Sequence, residues 1–341
     1  NAADIQRAWE ALKYAQNPRI HVFLATSEVH MQCKLRMTEE EVLAKAVEGV
    51  KMAKAFCHDV EFSAEDASRS EPAFLYKVLQ KVIQAGASVV NIPDTVGYIM
   101  PYEFEHMIRD IKENVPNIHK AKISVHCHND LGMAVANSLA AVRAGAAQVE
   151  CTINGLGERA GNASLEEIIM SLETRNDFYD VEHHINTRQI YRTSHLISNY
   201  AGFDVQPNKA IVGSNAFLHE SGIHQHGVLQ ERSTYEIMNP QSIGLYSIDG
   251  MVLGKLSGRH AFEEKIKELG YHLDGKDLNE AFAKFKALAD RKKDITLKDI
   301  EAILEGSLLD VPALIFLEDY QIFSGKYSSS TATITLSKGE E

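Results

Sequence analysis

"KISVHCHND", residues 122–130, is an apolar run that ends in two histidines one residue apart. On a strand, residues i and i+2 face the same side, so His126 and His128 would point together while Cys127 points away. That is the arrangement two ligands of one divalent ion need, and equally that of two hydrogen-bonded interior histidines. The pattern alone is weak. With fifteen histidines in 341 residues, chance supplies about 0.7 H-x-H pairs, and His224 and His226 form a second one. The reading turns on whether the flanking sequence makes this run one strand of a sheet.

Four other β-rich segments surround it: "IHVFLATS" from Ile20, "DVEFSAED" from Asp59, "SVVNIPDT" from Ser88 and "QVECTINGLG" from Gln148. Successive starts fall roughly 26 to 39 residues apart, the length of a βα unit. Helical patterns fill the gaps. Thr38 and Glu41 form a capping-box pattern ahead of apolar Val42, Ala46, Val47, Val50 and Ala53, and Ser164 with Glu167 repeats it before "IIMSL". Strands alternating with helices at this period imply a parallel sheet. Polar residues recur at five successive strand ends (Thr26–Ser27, Ser63–Glu65, Asn91–Thr95, His126–Asp130, Asn154–Arg159). An open α/β sheet gathers ligand groups at one switch point, whereas a (β/α)8 barrel gathers them from many strands. The expected fold is therefore an α/β TIM barrel with five of its eight strands visible. The chain opens on a helix, "ADIQRAWEALKYA", and the expectation is that three βα units are missing from the front.

The expected domains are the carboxyl-terminal part of a catalytic barrel over 1–175, helical accessory subdomains over 176–306, and a linker with the first strand of a truncated further domain over 307–341. That strand is read from the alternation in "SSSTATITLSKGEE". The formal charge of −12 argues against nucleic acid or an anionic membrane as principal partner. There is no membrane-length apolar run, and the expectation is a chain without a signal peptide. Cys33, Cys57, Cys127 and Cys151 contain no C-x-x-C, so a reducing, cytoplasmic setting is the default.

In "NGLGERAGN", residues 154–162, Gly155, Gly157 and Gly161 let the backbone turn tightly beside a ligand, and Asn162 offers a neutral oxygen ligand. Glu158 and Arg159 could pair to fix the loop, which could also simply cap the next helix. The spacing is not that of a dinucleotide fingerprint. Glu65 and Asp66 are candidates for acid–base work, or solvate a loop. "FLHESGIHQHGVL", residues 217–229, brings His219, Glu220, His224 and His226 together, as a second metal site or as a catalytic histidine on a lid. Tyr246 is a proton donor or ordinary packing. Lys255 and Arg259 in "GKLSGRH" hold phosphates or lead into a helix.

"HCHNDLG", "NGLGERAGN", "SGIHQHG" and "LGKLSGRHAF" closely resemble the 2-isopropylmalate synthases, metal-dependent Claisen-condensing barrels that also include homocitrate and citramalate synthases. The resemblance runs the length of the chain and is most specific between residues 20 and 260. It implies an acyltransferase that condenses acetyl-CoA with 2-oxoisovalerate to give 2-isopropylmalate and CoA, the first committed step of leucine biosynthesis. It implies a divalent metal ion (Mn, Mg or Zn) on His126 and His128, with Asn162 in or beside its shell. His21, Ser63, Asn91, Pro93 and Thr95 match residues around the 2-oxo acid. Glu65 matches an acidic group beside the metal, and His224 and Tyr246 match catalytic groups of the accessory subdomain. A homodimer is implied as well. The family's first strand carries an Arg-Asp pair that this sequence lacks, so the expectation is an internal fragment with impaired turnover. The remaining expectations are a homocitrate or citramalate synthase, or a non-catalytic assembly fragment.

Overall fold

The computed structural model describes residues 1–245, 253, 255, 257–268, 271–273, 275–292, 295, 299–300, 302–304, 315–325 and 328–338. Its first element, α1 (Ala2–Leu12), is capped by Asn1. The five expected strands then follow: β1 (Arg19–Ala25), β2 (Asp59–Glu65), β3 (Val89–Asp94), β4 (Lys122–Cys127) and β5 (Gln148–Glu150). All are parallel, in the spatial order β1-β2-β3-β4-β5.

Between β1 and β2 lie a short helix, α2 (Glu28–His30), which runs on into a π-helical turn over Met31–Leu35, and then α3 (Glu39–Lys54). The capping box expected at Thr38 and Glu41 is formed in both directions, at 3.3 and 2.9 Å. Val42, Ala46, Val50 and Ala53 make the buried stripe of α3. The other connections are α4 (Pro72–Ala85), α5 (Pro101–Asn114) and α6 (Ala134–Ala144). α4 starts on an N-cap at Glu71 with Pro72 in its first turn, and stops at Gly86, whose φ of 117° is accessible to glycine without strain. Odd and even strand positions separate cleanly. Val60, Phe62, Val90, Ile92, Val125 and Cys127 are buried in the cluster shared with the helices, so the alternate residues form the opposite, inner face. That face is strongly curved, because Gln148 of β5 accepts from Arg19 of β1 at 2.6 Å and donates to Glu61 of β2 at 3.0 Å. Strand order, parallelism and this curvature are those of a barrel sheet.

Past β5 come α7 (Leu165–Thr174), α8 (Asn176–Tyr179), α9 (Ile190–Ala201) and α10 (Gly222–Gln230). The second capping box does not form. Lys209 Nζ lies 2.7 Å from Ser164 Oγ and 2.5 Å from Glu167 Oε1, so a cation 45 residues away takes both capping groups. The helices α11 (Arg259–Glu268) and α12 (Gly275–Ala289) pack around Phe262, Ile266, Leu278 and Phe285, with the Phe262 and Phe285 rings 5.0 Å apart. The last described element is a hairpin, β6 (Ile315–Gly325) with β7 (Ser328–Lys338). A single strand was expected there. β6 is hidden in the sequence because an irregularity between Leu317 and Asp319 breaks its alternation.

Two compact units result: Asn1–Ala216 with Ile237–Ile248, and Phe217–Glu236 with Asp249–Glu341. Residues 176–306 contribute to both. Among the described residues no helix is long and apolar enough to cross a membrane.

Candidate active site on the inner face of the sheet

The register places the site. His21 stands opposite Glu61, Ser63 opposite Asn91, and Pro93 opposite His126, which in turn stands opposite Glu150. Their side chains form a chain of contacts across all five strands. His21 Nε2 is 2.6 Å from Ser63 Oγ; Asn91 Nδ2 donates to Ser63 Oγ at 2.9 Å and to Glu150 Oε2 at 3.2 Å. Glu150 Oε2 is also 3.2 Å from His126 Nδ1. Four residues singled out in the sequence, His21, Ser63, Asn91 and His126, thus share one network.

His126 and His128 do face the same way, their rings 4.9 Å apart and edge-on at 74°. A backbone bridge sets Asn162 beside His128. Asn162 Nδ2 is spent on Leu156 O at 3.0 Å, which leaves its Oδ1 as the open acceptor. His128 Nδ1 and Asn162 Oδ1 are buried without a hydrogen-bond partner, whereas His126 Nδ1 faces the Glu150 carboxylate. Buried polar atoms are ordinarily paired, and two orphans beside the His126 ring are a donor set that fits a cation. Burial first, then the charges of His126 and Arg159, push the His128 imidazole down towards its neutral, ligating form.

The glycines of the 154–162 loop are needed for this placement. A Cβ at Gly157 would meet Asn162 Nδ2 at 2.4 Å, and one at Gly161, where φ is 87°, would meet Gly155 O at 2.0 Å. Arg159 locks the loop, although its main partner is Asp130 rather than Glu158. Its Nε and Nη2 reach the two Asp130 oxygens at 2.8 and 2.9 Å, with Glu158 at 3.7 Å and largely in solvent. Arg159 Nη2 also donates to Thr95 O at 2.8 Å, and Thr95 Oγ1 accepts from the Asp66 N–H at 3.0 Å. Thr95 therefore ties the ends of β2 and β3 to the loop.

Glu65 ends β2 with its Oε1 2.6 Å from Lys34 Nζ. Asp66 turns the other way. It is wholly buried at φ 63°, with Arg69 and Ser27 on its carboxylate, so it supports the fold and does not face the inner surface. His224 belongs to the second unit, where its ring lies 4.3 Å from that of Tyr235. In the same unit His219 pairs with Glu236 at 3.3 Å, and His226 lies 5.7 Å from His260. Tyr246 lies outside the described residues.

Two acidic residues carry no mark in the sequence pattern. Among the described residues, His21, Glu61 and Glu150 are the one group of three or more His, Cys, Asp or Glu whose ligand atoms all lie within 4.8 Å of one another. Burial, then the Glu150 charge, push the Glu61 carboxyl up. Burial acts the same way on Glu150, but His126 and His21 outweigh it and hold Glu150 low. Glu61 is the member of the pair that keeps a proton longer. An acidic residue inside an apolar strand, in phase with Ser63 and Glu65, is the one signal that could reveal it.

The HMGL-like family model matches residues 1–197, and a model described as homocitrate synthase post-HMGL domain-like matches 211–293. The chain is 63% identical over 338 residues to a 2-isopropylmalate synthase of Ruminiclostridium cellulolyticum. It is 57% identical over 339 residues to that of Dictyoglomus turgidum, and 59% identical over 341 to that of Heliobacterium modesticaldum. These alignments take in 99, 99 and 100% of this chain and 66, 67 and 66% of the relatives, so it spans about two thirds of their length. Among solved structures, an HMG-CoA lyase from Acinetobacter baumannii superposes with a TM-score of 0.50 at 18% identity, over 60% of this chain and 67% of the lyase, which supports the fold. The strand order and these relatives agree, and the chain belongs to the HMGL-like family, on the branch of the 2-isopropylmalate synthases.

Proposed function

We propose that the chain carries the catalytic site of a 2-isopropylmalate synthase, which joins the methyl carbon of acetyl-CoA to the carbonyl carbon of 2-oxoisovalerate and releases CoA by thioester hydrolysis. The observation that carries this reading is the pair of unpartnered buried atoms, His128 Nδ1 and Asn162 Oδ1, beside the His126 ring at the carboxyl end of β4 and in the loop after β5. Two imidazoles and an amide oxygen fit a divalent ion of the Mn, Mg or Zn type. Such an ion, when bound, supplies Lewis acidity to the carbonyl of a 2-oxo acid.

The protein's own groups do the rest. Asn91, Ser63 and His21 offer a connected set of donors and acceptors along the floor of the site, which orients a substrate carboxylate or carbonyl. Pro93, beside His126 in register, offers an apolar wall, and Thr95 holds the strand ends together. Glu65 is the acid–base group of this unit, held by Lys34. His224 and Tyr246 are the groups that act at the acetyl-CoA methyl. A homodimer in a cytoplasmic setting belongs to the same reading, and sedimentation checks the oligomer.

The test is CoA thiol release from acetyl-CoA with 2-oxoisovalerate, pyruvate or 2-oxoglutarate in the presence of Mn2+ or Mg2+. Preference for 2-oxoisovalerate supports the reading. Preference for pyruvate or 2-oxoglutarate would convert it to citramalate or homocitrate synthesis. Absence of both metal binding and thiol release would leave a non-catalytic assembly module.

A further inference from the structure

One cluster next to Glu65 remains unexplained by the site just described. After β1 the chain makes a single turn of α-helix and passes into the π-helical turn Met31–Leu35; π-turns are rare and concentrate at functional positions. The junction sets two residues of this segment on Glu65: Lys34 Nζ at 2.6 Å and His30 Nε2 at 3.9 Å, both towards Oε1. The opposite edge of the His30 ring is held from behind. Its Nδ1 lies 3.1 Å from Asp66 Oδ2 and 2.9 Å from Ser27 Oγ.

These contacts determine the tautomer. Ser27 has one hydroxyl proton and donates it to Asp66 Oδ2 at 2.6 Å, so it shows His30 only lone pairs. Asp66 accepts from Arg69 Nε at 2.9 and 3.0 Å, lies 2.8 Å from Arg69 Nη2, and shows His30 only lone pairs as well. Two acceptors face Nδ1, so Nδ1 carries the hydrogen. In the neutral ring Nε2 is then bare, and it points at a carboxyl group.

We propose that His30 is a positioning residue for Glu65, fixed as its Nδ1–H tautomer by Asp66 and Ser27, and that its Nε2 takes up the proton that Glu65 acquires. The proton leaves a Glu65 carboxyl oxygen and arrives on Nε2. The carboxyl returns to carboxylate, and the imidazole becomes an imidazolium whose two N–H groups face Asp66 and Glu65. The charged groups facing the ring are Asp66 and Glu65, with Arg69 behind the first and Lys34 beside the second. The 3.9 Å separation is longer than a hydrogen bond, and a small rotation of either side chain closes it; catalytic contacts of this kind commonly tighten only with substrate present. The assignment of Glu65 to acid–base work rests on the function proposed above. The His30–Glu65 coupling does not.

The experiment is 15N-edited imidazole NMR of the full chain across pH, with the His30 signal assigned by its loss in His30→Gln. The expected result is a neutral form protonated on Nδ1. Its Nε2 should show the 15N shift of a bare ring nitrogen, and that shift should move in Glu65→Gln, where an amide faces Nε2 in place of the carboxyl, and in Lys34→Gln, where the competing cation is gone. The tautomer is set from the Asp66 side and should persist in both variants, so either serves if the other fails to fold. A neutral form protonated on Nε2, or an Nε2 signal indifferent to the change, would overturn the proposal. Neither readout needs turnover. Retained coupling without condensation would sink the proposed function alone; condensation without coupling would sink only this inference.

Discussion

Two polar clusters sit at strand ends of the same sheet and differ in one respect. Around Asp66, at the end of β2, every carboxylate oxygen is used, by Arg69 on both and by Ser27 on one. Around His128, at the end of β4, the buried His128 Nδ1 and Asn162 Oδ1 have no hydrogen-bond partner. A saturated cluster has already gained its hydrogen-bond energy on folding and can only hold things in place. An unsaturated one has forgone it, and recovers it when a ligand arrives. Polarity and burial alone would rank the two together. Partner accounting separates support from site.

The contrast breaks most sharply at Asp66. Asn tolerates the left-handed backbone at this position, so Asp66→Asn changes the charge without changing the turn. It should cost about 2 kcal/mol in denaturant-derived stability by weakening the charge-assisted bonds from Ser27 and from the part-exposed Arg69, and leave Mn2+ affinity unaltered. The reverse applies to His128→Ala. Mn2+ affinity read by calorimetry should fall further than the roughly 10–100-fold seen when a residue behind a ligand is removed, with little loss of stability. If both variants lost stability and neither lost metal, the comparison would fail. Gly161→Ala sharpens it, because a Cβ there collides with Gly155 O and displaces Asn162. Metal affinity should drop about tenfold, roughly half the logarithmic loss of a direct ligand. The smallest effect is a reactivity. Burial pushes the Cys127 thiol up to about 12 and Cys151 up to about 11, while Cys33 is exposed. Iodoacetamide at about pH 8 should modify Cys33 and spare Cys127, as read by peptide mass.

Much of the fold is legible in the sequence because strands and helices advertise themselves through local pattern. The β4 alternation by itself puts His126 and His128 on one face, and the Thr38–Glu41 box forms as its spacing predicts. Apart from β6, hidden by its local irregularity, the failures involve distant partners. Ser164 and Glu167 have the same local pattern as Thr38 and Glu41, yet Lys209 claims them. Arg159 prefers Asp130, 29 residues back, to its neighbour Glu158. Glu61 and Glu150 join the site only because the sheet curves far enough to bring β5 across to β1 and β2. Cross-strand curvature has no local signature, so a carboxylate recruited by it goes unseen.

The strand order also bears on how the molecule assembles. Among the described strands, β1 to β4 each pair with the next, so this sheet can be laid down one hairpin-free βα unit at a time as the chain leaves the ribosome. The contact between Arg19 and Gln148, by contrast, joins residues 129 apart. Loop-closure entropy makes such a contact late. Nascent chains shorter than β5 would then hold Arg19, Asp59 and Glu61 without their capping glutamine, and synthesis of β5 is the moment at which these three charges meet Gln148 and Glu150.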